Sequence, residues 1–349
     1  MFHSSTTVST LARLTTLAGL LAIASVPRHA AAQGCVIARG GGGAMVLGGD
    51  GFLESGDWQL NLAYRYFHSD RHFVGDVEQT HRQEEGSQVD NYSHFIDLTA
   101  TYAVNRRLWL NLTLPFVSHE RSSLYEHDRT NRHSTYAAGL ADLRLTSTFW
   151  LLDPETHHRG NFSIGAGVKA PTGDYTAADV FHRPGGPELR YVDSSIQPGD
   201  GGWGAVLEAQ GFFAFTETLS AYANGFYQVN PREQVEETGF SVPDGYLARA
   251  GANYVVWPSQ GLSLSLGGRI EGVPPTDLVG GDLGRRRPGY SVAVEPGVSW
   301  ARGRYFASLT APVAVYRNRQ QSHPESLVGR HGDAAFADFS INLGFSVRF

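Results

Sequence analysis

The stretch INLGFSVRF, residues 341–349, closes the chain. Ile341, Leu343, Phe345, Val347 and Phe349 share one parity, and Asn342, Gly344, Ser346 and Arg348 share the other. Successive side chains of a β-strand point to opposite faces, so this is a strand with one apolar and one polar face that continues to the last residue. Soluble domains more often end in a frayed polar tail. An edge strand of a soluble sheet would alternate in the same way, so the rest of the chain decides whether the apolar face meets lipid.

Residues 1–32 read as a cleaved export signal. Arg13 carries the positive charge, LTTLAGLLAIASV (14–26) forms the apolar core, and HAAAQ offers small residues for cleavage after Ala32. That apolar run is too short to span a membrane as a helix. Cys35 is the only cysteine, which excludes an intrachain disulfide. The AQGC that contains it lacks the pattern of a lipidation site, so it is read as a free thiol.

The composition carries 41 Gly, 15 Tyr and 19 Phe with a mean hydropathy of −0.24. Glycine and aromatic enrichment without helical apolar blocks fits an outer-membrane barrel, where lipid-facing and lumen-facing residues alternate and dilute the average. The signal holds two Arg and no acid, so the remaining charge is 26 minus 34, or −8. This acidic balance argues against a nucleic-acid partner.

Working back from the terminal strand, alternating segments fall at 58–68, 93–105, 107–119, 135–152, 161–172, 203–216, 219–230, 246–257, 262–271, 290–300, 305–317 and 336–349. The links between them alternate in length. NRR, DPETHHRG, TET, PSQG and RGR are short, whereas 69–92, 120–134, 174–201, 231–245, 272–289 and 318–335 are long. Short periplasmic turns alternating with long extracellular loops is the layout of a transmembrane antiparallel β-barrel, here of about twelve strands. A soluble sandwich has no reason to alternate loop lengths in this way. An internal echo agrees: RLWLNLTLP and RYFASLTAP match at Arg107/Arg304, Leu112/Leu309, Thr113/Thr310 and Pro115/Pro312, which makes both ascending strands. The expected all-β architecture is therefore a signal over 1–32, a glycine-rich segment over 33–56 and a barrel over 57–349. Its partners would be the lipid bilayer and the outer-membrane barrel assembly machinery. Phe345, Val347 and the terminal Phe349 are read as the assembly signal.

The segment ARGGGGAMVLGGDGF (38–52) is too glycine-rich for regular structure. It is read as a periplasmic tail, with a small lumen plug as the other reading. Its glycines resemble a phosphate loop superficially, but no strand precedes them and no Lys-Ser/Thr follows.

On the inner parity fall Arg65, Asp97, Asn111, Asp142, Arg144, Lys169, Glu208, Arg249, Arg269, Glu271, Glu295 and Arg348, with acids and bases nearly balanced. A strongly ion-selective pore needs one-sided charge, so this interior suits small or uncharged solutes. Equally, the charges would pair and fill a narrow barrel. Hairpin symmetry about 154–160 sets Arg144 opposite Lys169 and Asp142 near Pro171. Symmetry about 120–134 sets Asn111 opposite Asp142 and Trp109 opposite Arg144. Trp109, Asn111, Asp142, Arg144 and Lys169 would then share one solute-contact patch, with Asp142 bridging two cations and Trp109 offering stacking and cation–π contact.

The residues bear on two other function classes. His68, His72, His81, His119, His127, His133, His182, His323 and His331 lie in or beside outer loops. Convergent imidazoles hold transition metals, but solvated loop histidines are the commoner case, so no metal or other cofactor is expected. The runner-up function is a non-conducting barrel whose histidine-bearing loops bind a surface partner or metal. A barrel lipase would need a Ser and a His within hydrogen-bond reach on the lipid-facing wall. His94 sits on that face without an evident Ser nearby, so the chain is read as a non-enzyme.

Three stretches, TLPFV (113–117), GLADLRL (139–145) and GVKAPTGDY (167–175), resemble the outer-membrane channel family named for the MetA pathway of phenol degradation. The Lys-x-Pro-Thr-Gly element is the most specific, and it contains the one lysine of the chain, Lys169. Pro171, Thr172 and Gly173 are expected to end a strand at the barrel rim, since proline cannot donate to a sheet ladder and glycine permits an unusual backbone angle. The resemblance, over roughly 105–175, implies a passive channel for small hydrophobic or aromatic solutes.

Overall fold

The computed structural model describes residues 51–349. They form a closed antiparallel barrel of twelve strands, paired in chain order. In order these are Trp58–Val74, Asp90–Ala103, Leu108–Ser123, the interrupted fourth strand His133–Leu140 with Leu143–Trp150, Gly160–Ala170, Gly204–Ala214, Leu219–Val229, Gly245–Trp257, Leu262–Val273, Gly289–Arg302, the interrupted eleventh strand Tyr305–Thr310 with Val313–Arg319, and Ala334–Arg348. The last strand closes on the first from Gln59↔Arg348 to Phe73↔Ala334. Phe349 itself donates its N–H to the Trp58 carbonyl at 2.8 Å. The terminal alternation is thus spent on closure: Phe345 stands beside Leu62 and Val347 beside Leu60.

The outward parity forms a continuous apolar band. Leu62, Leu98, Leu112, Leu145, Ile164 and Leu207 are all exposed. In water that would be an aggregation-prone surface; in a bilayer it is what lets a closed sheet cross, because closure leaves no unpaired edge.

Proline explains both interrupted strands. Pro115 in the third strand has no N–H to give the ladder, and the fourth breaks at Ala141–Asp142 beside it; the Ala141 N–H still reaches the Pro115 carbonyl at 2.8 Å. The eleventh strand breaks at Ala311–Pro312, where Ala311 donates to the Pro296 carbonyl at 3.0 Å and Pro312 accepts from Ser340 at 3.0 Å. The sequence echo between residues 107–115 and 304–312 therefore marks two strands that use proline at the same place. At the short-turn end Gly261, at φ 71°, is obligatory, since a Cβ there would lie 1.8 Å from the Ala301 carbonyl oxygen.

The long loops carry structure of their own. One holds the hairpin Ala178–Arg183 and Gly186–Tyr191, and two others hold the short helices His81–Glu84 and His323–Leu327.

Candidate functional site in the barrel lumen

Inward-facing side chains of the second, third and fourth strands build a hydroxyl and amide wall. Thr99 and Thr113 are hydrogen-bonded at 2.9 Å. Thr101 donates to the Asn111 carbonyl oxygen at 2.9 Å, and the Asn111 amide donates to Thr148 at 3.0 Å. This wall borders a cavity of about 160 Å³, with Glu208 and Arg249 on the far side. Trp109, Asn111 and Arg144 all line that space.

Beside the cavity the charges form a chain across the lumen. Arg65 meets Glu271 at 2.6 Å, Arg269 meets Glu271 at 2.7 Å and Glu295 at 3.4 Å, and Arg249 meets Glu295 at 3.1 Å. Arg65 is on the first strand and Glu271 on the ninth, so the contact spans the barrel rather than running along its wall. Each charge is desolvated, and only such close pairing offsets that cost.

Asp142 and Lys169 form the roof rather than the lining. Both are buried and lie 3.7 Å apart, and Lys169 also contacts Asp200 from the loop above. The Asp142 carboxylate accepts the N–H of Gly173 at 3.0 Å and of Asp200 at 3.1 Å. Arg144 stands opposite Lys169 as expected, and its guanidinium lies 3.6 Å from Asp97. The register across the third and fourth strands differs from the symmetry estimate: Asn111 faces Thr146 and Trp109 faces Thr148. Strand pairing there extends up to Ser123↔His133, which moves the centre of symmetry along the chain. Trp109 therefore sits four residues below the level of Arg144, about 13 Å along a strand.

The Pro-Thr-Gly element does end the fifth strand, which stops at Ala170. Thr172 clips the break in the neighbouring strand, its hydroxyl accepting from Leu143 N–H at 2.9 Å and donating to the Ala141 carbonyl at 3.0 Å. The role expected for Gly173 needs correction. Its φ is not in the left-handed region; instead a Cβ there would come within 2.7 Å of the Gly199 Cα. Glycine is needed for close approach of two backbone segments, which draws the 174–201 loop down onto the rim.

That loop crosses the mouth. Asp193 lies 3.7 Å from Arg121 of the third strand and 2.7 Å from Arg287, which precedes the tenth. Burial alone would raise the Asp193 carboxyl, but the two guanidiniums hold it well below the ordinary carboxylate range, so it stays ionised.

Toward the short-turn end lies an aromatic floor. Trp109, Trp150 and Phe212 are buried together with Ala103 and Leu53, and Phe52 packs against them. Residues 52 and 53 belong to the glycine-rich segment, most of which (33–50) lies outside the described residues. Trp150 and Phe212 were missed as site residues, although Trp150 shares the parity of Arg144, Thr146 and Thr148 and was readable as inward.

The outer histidines divide. His127, His133 and His182 come together, with ring centroids 4.2–6.1 Å apart. His68 sits 3.9 Å from Asp70 and 3.8 Å from Asp90, a group of donors close enough for an ion. His72, His119 and His331 are engaged by Asp333, Ser93 and the Arg319 carbonyl. His127 accepts the His182 backbone N–H on Nδ1 at 3.1 Å, so protonation would bring two N–H groups face to face. Burial, and then His133, pull its pKa below the ordinary 6.5. A histidine with a lowered folded value makes its stabilising contribution above the unfolded value and loses it as pH falls through the folded one. Acidification below about 6.5 is expected to loosen the hairpin over 178–191. Hydrogen exchange at pH 7.5 and 5.5, corrected for intrinsic rate, checks this; His127→Gln, which accepts the same bond without titrating, should remove the difference.

On the lipid-facing wall the register sets Ser118 opposite His94, a juxtaposition the sequence did not reveal. The imidazole Nδ1 is instead hydrogen-bonded to Tyr64 at 2.7 Å, and among the described residues Ser118 makes no hydrogen bond with it. A nucleophile–base pair is not assembled there.

No family model matches the chain, and no curated protein matches it in sequence. Solved structures do. An outer-membrane channel from Pseudomonas putida F1 matches with a TM-score of 0.56 at 15% identity, over 85% of this chain and 97% of that one. The toluene transporter TodX of Pseudomonas putida matches at 0.40 and 10% identity, over 85% and 90% of the two chains. The β domain of the Bordetella autotransporter BrkA matches at 0.45 and 11%, over 84% and 100%. The first of these shows the fold, that of an outer-membrane β-barrel.

Proposed function

We propose that the protein is a passive channel of the bacterial outer membrane for small solutes with a hydrophobic or aromatic body. The observation that carries this reading is the lumen itself: a hydroxyl and amide wall above an aromatic floor, with the charges paired to one another rather than arrayed as a one-sided ring. Such a lining gives a weakly charged path with polar groups to replace part of a solute's hydration and rings to stack upon it. The resemblance of the Lys-x-Pro-Thr-Gly region to a channel family for such solutes, and the fold shared with a solved outer-membrane channel, support the same reading. Trp109, Asn111 and Arg144 would contact solute, while Asp142 and Lys169 with Pro171, Thr172 and Gly173 would hold the outer loop in place. Phe345, Val347 and Phe349 would present the closing strand to the assembly machinery.

Proteoliposome flux tests the proposal. Phenol and toluene should equilibrate faster across vesicles with a lipopolysaccharide outer leaflet, which slows apolar solutes as plain phospholipid does not, when they carry the folded barrel than when they are empty, and acidic or basic ions should be only weakly sorted. Flux no faster than in empty vesicles would favour the non-conducting barrel with binding loops.

A further inference from the structure

The aromatic floor is filled by the chain itself. The Phe52 ring lies 4.9 Å from Trp150 at 79°, 6.0 Å from Phe212 and 6.3 Å from Trp109 at 65°. Three rings thus box in a fourth, largely edge to face, the arrangement aromatic quadrupoles favour. Two facts separate this box from ordinary core packing. The indole N–H groups of Trp109 and Trp150 are both buried, and neither has a hydrogen-bond partner among the described residues. A buried tryptophan N–H usually finds one. Moreover, the occupant is not part of the barrel ladder. Its segment is tied at the exposed short-turn end, by Gly56 N–H to the Ala103 carbonyl at 2.8 Å, by the Ser55 hydroxyl to the Val104 carbonyl at 3.1 Å, and by Glu54 to Arg106.

We propose that the Trp109–Trp150–Phe212 box is a binding site for an aromatic ring bearing a hydrogen-bond acceptor, and that Phe52 occupies it as a competitor carried by the chain. An incoming arene keeps the edge-to-face contacts that Phe52 makes. Its acceptor also satisfies an indole N–H, which the phenyl side chain has no atom to do. A carbonyl or nitro substituent therefore discriminates against plain hydrocarbons at this position. Displacing Phe52 withdraws Leu53 with it and joins the lumen to the short-turn side, so the solute opens its own exit; this consequence rests on the channel reading, whereas the binding site does not.

Benzaldehyde and toluene, close in size and different in acceptor, are the probes. Calorimetric titration of the folded protein in detergent, against matched detergent blanks, should show saturable benzaldehyde binding that tightens about ten-fold in Phe52→Ala. Toluene should bind several-fold more weakly to both. The Trp109→Phe/Trp150→Phe variant keeps the rings and removes the donors, and should bind the two probes within about two-fold of each other. Equal benzaldehyde affinity in the parent and Phe52→Ala, or no saturable binding to Phe52→Ala, overturns the proposal; these two proteins decide it if the double variant fails to fold. Bilayer conductance is run on the same preparations. Tightened binding without conductance would refute the channel reading and leave the site standing, whereas conductance without binding would do the reverse.

Discussion

Lys169→Ala should unseat the loop that crosses the barrel mouth. The ammonium is buried between Asp142 and Asp200, one carboxylate from the break in the fourth strand and one from the loop over 174–201. Removing it leaves two carboxylates facing each other in a desolvated pocket. Breaking a buried pair by deleting one partner typically costs about 3–5 kcal/mol, chiefly for the uncompensated charge left behind. Since Asp200 is the loop's contribution, the relief available is for the loop to move out, carrying Gly199 away from Gly173. The expected result is a lower chemical-unfolding midpoint in detergent together with larger or longer conductance steps. Lys169→Met combined with Asp200→Asn, which removes the charges in balance, should recover most of the midpoint. A double variant no more stable than Lys169→Ala would show that the pair is not what seats the loop.

Glu295→Gln is the second variant with a large expected effect. Glu295 is only 1% exposed and holds both Arg249 and Arg269. The cross-lumen chain contains three guanidiniums and two carboxylates, and this change leaves one carboxylate among the three. Two unit charges at 4 Å interact by about 4 kcal/mol at an effective dielectric of 20, so the added positive field inside the lumen is large compared with thermal energy. The reversal potential in a salt gradient should move toward the anion, and Arg249→Gln in the same chain should move it back. Stability should also fall, because one or both guanidiniums lose their partner. A reversal potential identical to that of the parent would place this network outside the conduction path.

How these residues come together was only partly legible in the sequence. Alternation located the strands to within a few residues because a membrane barrel imposes period two on nearly every residue of its wall. The Arg144–Lys169 pairing could be read because a short turn joins those strands and leaves little freedom in register. Trp109 was placed too high because the long outer loop hides where pairing resumes, and a shift of four residues there moves every partner along the wall. The break opposite Pro115 was implicit in the missing proline donor. The docking of Phe52 and Leu53 was not legible, since a glycine-rich stretch carries no periodicity to say which of its apolar residues dock or where. Asp193, Asp200 and Arg287 were equally hidden, because loop residues meet across the mouth through tertiary geometry and no local pattern records it.

The most direct test of the channel is single-channel conductance in a planar bilayer, on refolded protein spanning residues 33–349 and on the same protein lacking 33–56. Discrete steps are expected from the shortened protein, and smaller or rarer ones from the longer protein while Phe52 occupies its box. Silence from both, with a folded barrel confirmed by heat-dependent gel migration, would contradict a channel.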